Sequence, residues 1–178
     1  MKDLSLSVLD IAMNSVKAGA SLIGITVAED GQTLTVRVAD DGCGMDADFL
    51  ARVTDPFTTT RDTRRVGMGI PLFKLAAEQA GGTFSIESEP GRGTELTATF
   101  EAGHLDKPPL GDMPATVTTL IQGSPEIDFV YRHTAPGGEA SLDTRALREA
   151  LDGVPLDTPE ILAWIQENLE EEERMTAS

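Results

Sequence analysis

Asp10-Ile11-Ala12-Met13-Asn14, within the run Leu9-Asp10-Ile11-Ala12-Met13-Asn14-Ser15-Val16-Lys17-Ala18-Gly19-Ala20, and the later Asp40-Asp41-Gly42-Cys43-Gly44-Met45 decide how this chain folds. The first lies on a segment from Leu4 to Ala18. Leu6, Leu9, Ile11, Met13 and Val16 supply its apolar positions and Gly19 stands where a helix would end, so the segment predicts a helix. A spacing of four puts the Asp10 carboxylate and the Asn14 amide on one face. An acid and a neutral oxygen donor so placed can share a hydrated Mg²⁺ or orient a water. Residues 21–28 and 33–39 then alternate apolar residues with period two around Asp30-Gly31, the pattern of a β-hairpin. Asp40 to Met45 follows at the strand end. Its glycines permit close backbone approach, and its carboxylate can accept a hydrogen bond from an exocyclic amino group. Alone, each motif has an ordinary reading, as a polar helix face or a glycine turn.

Further along, residues 46–53 predict a short helix and 55–66 are polar and basic without a period. Gly67 to Ala80 reads as a helix closed by Gly81-Gly82. Residues 83–88 and 94–100 form a second hairpin around Glu89-Pro90-Gly91-Arg92-Gly93. The order of helix, two strands, loop and helix, two strands predicts a two-layer α/β sandwich with a mixed or antiparallel sheet. Asp55-Pro56-Phe57-Thr58-Thr59-Thr60-Arg61 begins a hydroxyl-rich loop that leads into Gly67-Met68-Gly69 at a helix N-terminus. Free N–H groups and the helix dipole favour phosphate there. From Phe57 to Lys74 the net charge is +3, inside a chain of −16.

The chain has 178 residues, 40% of them apolar and 25% charged, enough for a core that needs no metal or disulfide. Its charge of −16 argues against a general nucleic-acid binder. A single cysteine, Cys43, excludes an internal disulfide and a Cys-rich zinc site; it reads as a small pocket-wall residue. There is no long apolar run for a membrane span, and Met1 to Ser5 does not read as a signal peptide. A soluble cytoplasmic protein without membrane or nucleic-acid partners is the expectation. Composition shifts near residue 103: residues 1–103 carry nine basic and fifteen acidic side chains, residues 104–178 five and fifteen. The chain therefore divides into an N-terminal domain (1–103), an extended His104 to Asp112 connector with tandem prolines, and a C-terminal α/β extension (113–178). In the extension, 113–122 reads as helix, 127–133 and 139–142 as a hairpin, 143–151 as helix, and Thr158-Pro159-Glu160 as a helix start with Thr158 as N-cap. Glu170 to Glu173 should fray into solvent, and Trp164 should pack on the domain.

Together, in this order and spacing, these segments resemble the GHKL superfamily of ATPases, which includes DNA gyrase B subunits, the heat-shock chaperone of ninety kilodaltons, sensor histidine kinases and the MutL proteins. Residues 9–20 look like its N box, Asp40 to Gly44 like its Asp-x-Gly-x-Gly box, and Asp55 to Thr60 like the F box of histidine kinases. Gly67-Met68-Gly69 looks like the second glycine box and Gly91-Arg92-Gly93-Thr94 like the last one. The resemblance covers about residues 1–103 and implies a Bergerat fold that binds ATP with Mg²⁺. By position it implies Mg²⁺ coordination by Asn14 and a general base at Asp10, where the ATPases place a longer glutamate. It implies adenine recognition by Asp40, with Thr94 joining through water. Gly42, Gly44, Gly67, Met68 and Gly69 would shape pocket and lid, while Lys17, Thr60 and Arg61 would meet phosphate.

The kind of ATP user stays open at this stage. Phosphorylating histidine kinases present an acceptor His on a helical hairpin ahead of the ATP domain. This chain opens directly on the N box, so a stand-alone form without that module is expected. His104 sits in the connector and His133 at a strand end, both in structural or surface roles. Three readings stand: a kinase-type module acting on a separate partner, a slow ATPase whose lid closure drives a switch, and a nucleotide-sensing binding module that is not an enzyme.

Overall fold

Leu4, Ser5, Val8, Ile11, Ala12 and Ser15 recur at the helical period and turn one face of α1 (Leu4–Lys17) into the core. This face differs from the one expected from sequence. Leu6 (51% exposed) and Met13 (38%) look outward, because residues 4, 8, 11, 12 and 15 complete a continuous stripe that 6 and 13 cannot join. The molecule, a computed structural model, describes residues 3–54 and 69–177. After α1 come β1 (Leu22–Glu29), β2 (Thr33–Asp40), α2 (Ala47–Val53), α3 (Gly69–Gln79), β3 (Phe84–Glu89) and β4 (Gly93–Glu101). The C-terminal part adds α4 (Met113–Gly123), β5 (Asp128–Ala135), β6 (Gly138–Asp143), α5 (Thr144–Leu151) and α6 (Pro159–Ala177).

The six strands form one sheet in the order β3-β4-β2-β1-β5-β6. Neighbours pair antiparallel except β1 and β5, which run parallel with Val27 opposite His133. Alternating residues Ile23, Ile25 and Val27, Leu34, Val36 and Val38, Leu96, Ala98 and Phe100, and Phe129 and Tyr131 bury one face of the sheet. Helices α1, α3, α4 and α6 cover that face, and Phe73 of α3 meets Phe100 edge-on at 5.6 Å. The result is the expected two-layer α/β architecture. The C-terminal strands continue the N-terminal sheet and cover the edge that β1 would otherwise expose.

The connector lies against the start of α1. Leu4 and Ser5 donate their backbone N–H groups to the carbonyls of Pro109 and Leu110 at 2.9 and 2.8 Å, and Leu6 donates to the Asp3 carboxylate. Three first-turn donors that a helix leaves unmet are satisfied in this way.

Three expectations for α6 are corrected. Glu170 to Glu173 do not fray: the helix runs to Ala177, and Glu173 and Glu172 accept hydrogen bonds from β5 and β6. Trp164 is 51% exposed, and Ile165 and Leu169 are the fully buried residues of the helix, because their spacing of four points both at the sheet. Pro159 opens the helix as expected, but the Thr158 hydroxyl does not cap it; it donates to the Pro155 carbonyl at 2.7 Å.

Candidate nucleotide site

A cavity of about 460 Å³ opens between the second half of α1, the loop after β2, α2, the first turn of α3 and strands β3 and β4. Val38, Ile86 and Leu96 give it an apolar floor, while Ile11, Ile70, Met45 and Phe49 form apolar walls. Polar groups reach it at few points, as in small-molecule sites. Asn14, Lys17, Asp40, Gly44 and Thr94 all line this cavity. The exposed Cys43 does so as well, at its wall.

Asp40 ends β2 on the core face of the sheet, directly opposite Thr94 of β4. Its Oδ2 accepts from the Ser15 hydroxyl at 2.6 Å and its Oδ1 from the Gly42 N–H at 2.8 Å, which fixes both carboxylate oxygens. Asp41 ties the loop to β1. It accepts from the Ser21 hydroxyl and from the N–H groups of Ser21 and Leu22. The Ser21 hydroxyl bond, followed by the backbone bonds, outweighs burial and holds this carboxyl below the usual carboxylate range. The loop is further stitched by Cys43 N–H to the Ala18 carbonyl and by Gly91 N–H to the Cys43 carbonyl.

Two glycines are required by this packing. Gly44 has φ +72° and a Cβ there would run into the Glu89 carbonyl. Gly93 has φ +103° and a Cβ would strike the Asp40 carbonyl. The close approach of the β3–β4 turn to the Asp40 loop depends on both.

Asn14 carries a chemical signal of its own. Among the buried side-chain nitrogens and oxygens of the described residues, its Nδ2 lacks a hydrogen-bond partner. An amide end buried without a partner is costly and rare, and here it belongs to a residue that lines a cavity. The glycine-permitted backbone approach, the paired acceptors at Asp40 and the unpartnered amide fit a polar, phosphate-bearing ligand. Among the described residues no cluster of three His, Cys, Asp or Glu could cage a metal.

Asp10 stands one turn before Asn14, exposed and outside the cavity lining, with Gly69 packed against it: a Cβ on Gly69 would lie 3.0 Å from the Asp10 carboxylate. Gly42 sits behind the lining, where a Cβ would approach Ala18 to 2.9 Å. Thr60, Arg61, Gly67 and Met68 lie outside the described residues. Ser15, Arg52 and Ser88 were not singled out by sequence reasoning. Arg52, over the Phe49 ring at 5.7 Å, brings a second cation to the cavity beside Lys17. Ser88 had a legible signal: it is a polar residue in the core-facing row Phe84-Ile86-Ser88 of β3, opposite Thr94.

Fold and cavity define a two-layer α/β protein with a cavity beneath the first helix. Residues 2–104 match the family of histidine kinase-, DNA gyrase B- and HSP90-like ATPases, and the chain belongs to that family. It is 30% identical over 105 residues to the sensor histidine kinase ZraS of Escherichia coli strain K12, a match covering 58% of this chain and 22% of that protein. It is also 30% identical over 100 residues to sporulation kinase E of Bacillus subtilis strain 168, covering 56% of this chain and 13% of the kinase. The chain thus spans less than a quarter of the length of these relatives. The N-terminal domain of a DNA repair protein shares the fold at a TM-score of 0.52 and 15% identity, over 80% of this chain and 52% of that one.

Proposed function

We propose that this chain binds Mg-ATP in the cavity beneath α1 and serves as a kinase-like ATP-binding module acting on a separate protein. The observation that carries this reading is the unpartnered Asn14 amide in the same cavity as the doubly held Asp40 carboxylate. On this reading Asp40 accepts from the adenine amino group, with Thr94 beside it. Asn14 would hold Mg²⁺ through its Oδ1 and donate its Nδ2–H to a phosphate oxygen, and Lys17 and Arg52 face the phosphates from the cavity wall. A bound Mg²⁺ would neutralise phosphate charge. Residues 1–103 then form the ATP-binding part, 104–112 the connector, and 113–178 an extension whose strands continue the same sheet. No helix among the described residues is long and apolar enough to cross a membrane. A cytoplasmic location is part of the proposal.

Replacing Asp40 by Asn exchanges one acceptor oxygen for a donor. The variant is expected to bind ATP about tenfold more weakly and to lose its preference over GTP. Calorimetry with both nucleotides checks this, and a variant that still prefers ATP overturns the Asp40 role.

The proposal is tested by incubating the purified protein with γ-labelled Mg-ATP, alone and with a lysate of its own cells. Label on another protein supports the kinase-like reading and reveals the acceptor. Free phosphate without labelled protein favours the ATPase switch, with Asp10 as the base to mutate next. Retention of ATP with neither product leaves a nucleotide-gated binding module.

A further inference from the structure

Ser88, Thr94 and Asp40 stand side by side across β3, β4 and β2, all on the core face of the sheet. The Ser88 hydroxyl has three partners. Met45 N–H lies 2.8 Å away, the Gly93 carbonyl 3.0 Å and the Thr94 hydroxyl 2.8 Å. A serine has one proton and two lone pairs. A backbone N–H can only donate, so Met45 takes one lone pair. A carbonyl can only accept, so Gly93 takes the proton. One arrangement then satisfies the third contact: Thr94 donates its own proton to Ser88.

This has a consequence for the cavity that Thr94 lines. With its proton committed to Ser88, Thr94 offers only lone pairs to a ligand. The Asp40 carboxylate beside it also acts as an acceptor, its two oxygens anchored by the Ser15 hydroxyl and the Gly42 N–H. Thr94 and Asp40 thus stand as a pair of acceptors at this end of the cavity. We propose that Ser88 is a specificity-determining positioning residue. By holding the Thr94 proton away from the cavity, it makes the site select a purine with an amino group at position 6 over one with a carbonyl there. The inference rests on the ATP reading above and adds the residue that sets the polarity of the base end.

A 6-oxo base presents a lone pair where the site offers lone pairs. It gains a partner only if Thr94 can turn its proton inward. Removing Ser88's hydroxyl frees that proton. The same change removes partners from Met45 N–H and the Gly93 carbonyl, so a purely structural loss must be told apart from a change of polarity.

The test measures dissociation constants of Mg-ATP and Mg-ITP by calorimetry for the wild type and for Ser88→Ala, Ser88→Thr and Thr94→Val. Wild type is expected to prefer ATP. Ser88→Ala should lower the ATP-to-ITP preference about tenfold, chiefly through tighter ITP binding, and Ser88→Thr should restore it. In the Thr94→Val background, Ser88→Ala should leave the preference unchanged, because the proton it would release is gone. If Ser88→Ala does not fold, Ser88→Cys replaces it as a near-isosteric, weaker acceptor, with a smaller loss of preference expected. A wild type without preference overturns the adenine reading and this proposal with it. A wild type that prefers ATP, with Ser88→Ala weakening both nucleotides equally, overturns the proposal alone.

Discussion

Asn14→Ala is expected to weaken Mg-ATP binding about a hundredfold while leaving the ligand-free protein as stable as wild type, or slightly more so. The two halves of this result have one cause. In the ligand-free structure the buried Nδ2 gives up water and gains no partner, so its removal relieves about 1 kcal/mol or more of desolvation. An amide kept at that expense in a cavity wall is stabilised only when something fills the cavity. Asn14→Asp retains the oxygen but adds a charge beside the phosphates, and should bind as poorly without gaining stability. Calorimetry with Mg-ATP and a thermal melt without ligand check both halves. An unchanged affinity overturns the Asn14 role. Lost affinity with a large drop in melting temperature would show a structural residue instead.

Local patterns in the sequence carried much of this fold. Alternation over 21–28 and 33–39, with Asp30-Gly31 between, located β1 and β2, and the Asp30 carboxylate does close that turn by accepting from Gln32 and Thr33. Of the glycines at 42–44 and 91–93, Gly44 and Gly93 are points of backbone approach between two loops, whereas a Cβ on Gly91 would meet open space. What could not be read was whatever depends on register between distant strands. Nothing local in Val27 or His133 says that they stand opposite one another in a parallel pair. Hydroxyl roles were hidden for the same reason. Ser15 reads as an ordinary neighbour of Asn14 until α1 is laid over the end of β2 and its proton finds Asp40, 25 residues away in sequence. Residue type alone does not reveal the buried face of α1, since Leu6 and Met13 are apolar and yet exposed. Which apolar residues are buried depends on the stripe that fits the sheet.

His133→Leu is expected to destabilise the protein by about 3 kcal/mol and to remove a pH dependence that wild type shows. His133 is 5% exposed and lies between two carboxylates: its Nε2 is 2.5 Å from Glu29 and its Nδ1 2.7 Å from Glu173. A ring that donates from both nitrogens, an imidazolium, is the form that meets both carboxylates as acceptors. Burial pulls its pKa down, but the hydrogen bonds to Glu173 and Glu29 and their charges outweigh burial, so the net shift is upward. Tyr131 faces the cluster from β5 and donates to Glu173 at 2.5 Å. Burial, then that bond, pushes its phenol far above the ordinary range, so it remains a donor throughout. Arg174 of α6 lines the adjoining cavity with Glu29, His133 and Glu173. A leucine would leave two carboxylates facing a vanished cation. The effect falls at the low end for a broken buried pair because the Glu29 side chain is 37% exposed and can turn to water. A group whose pKa is raised on folding contributes fully below its unfolded value, about 6.5 for His. That contribution is lost as pH rises through the raised folded value. Wild type should therefore lose its margin over His133→Leu on going from pH 6 to pH 9, a gap of about 10 °C in melting temperature narrowing with pH. The cluster joins the end of β1 to α6, so hydrogen exchange in α6 should accelerate over the same range. A margin independent of pH would mean that the ring is neutral in the fold, and that one of its two carboxylates carries the proton instead.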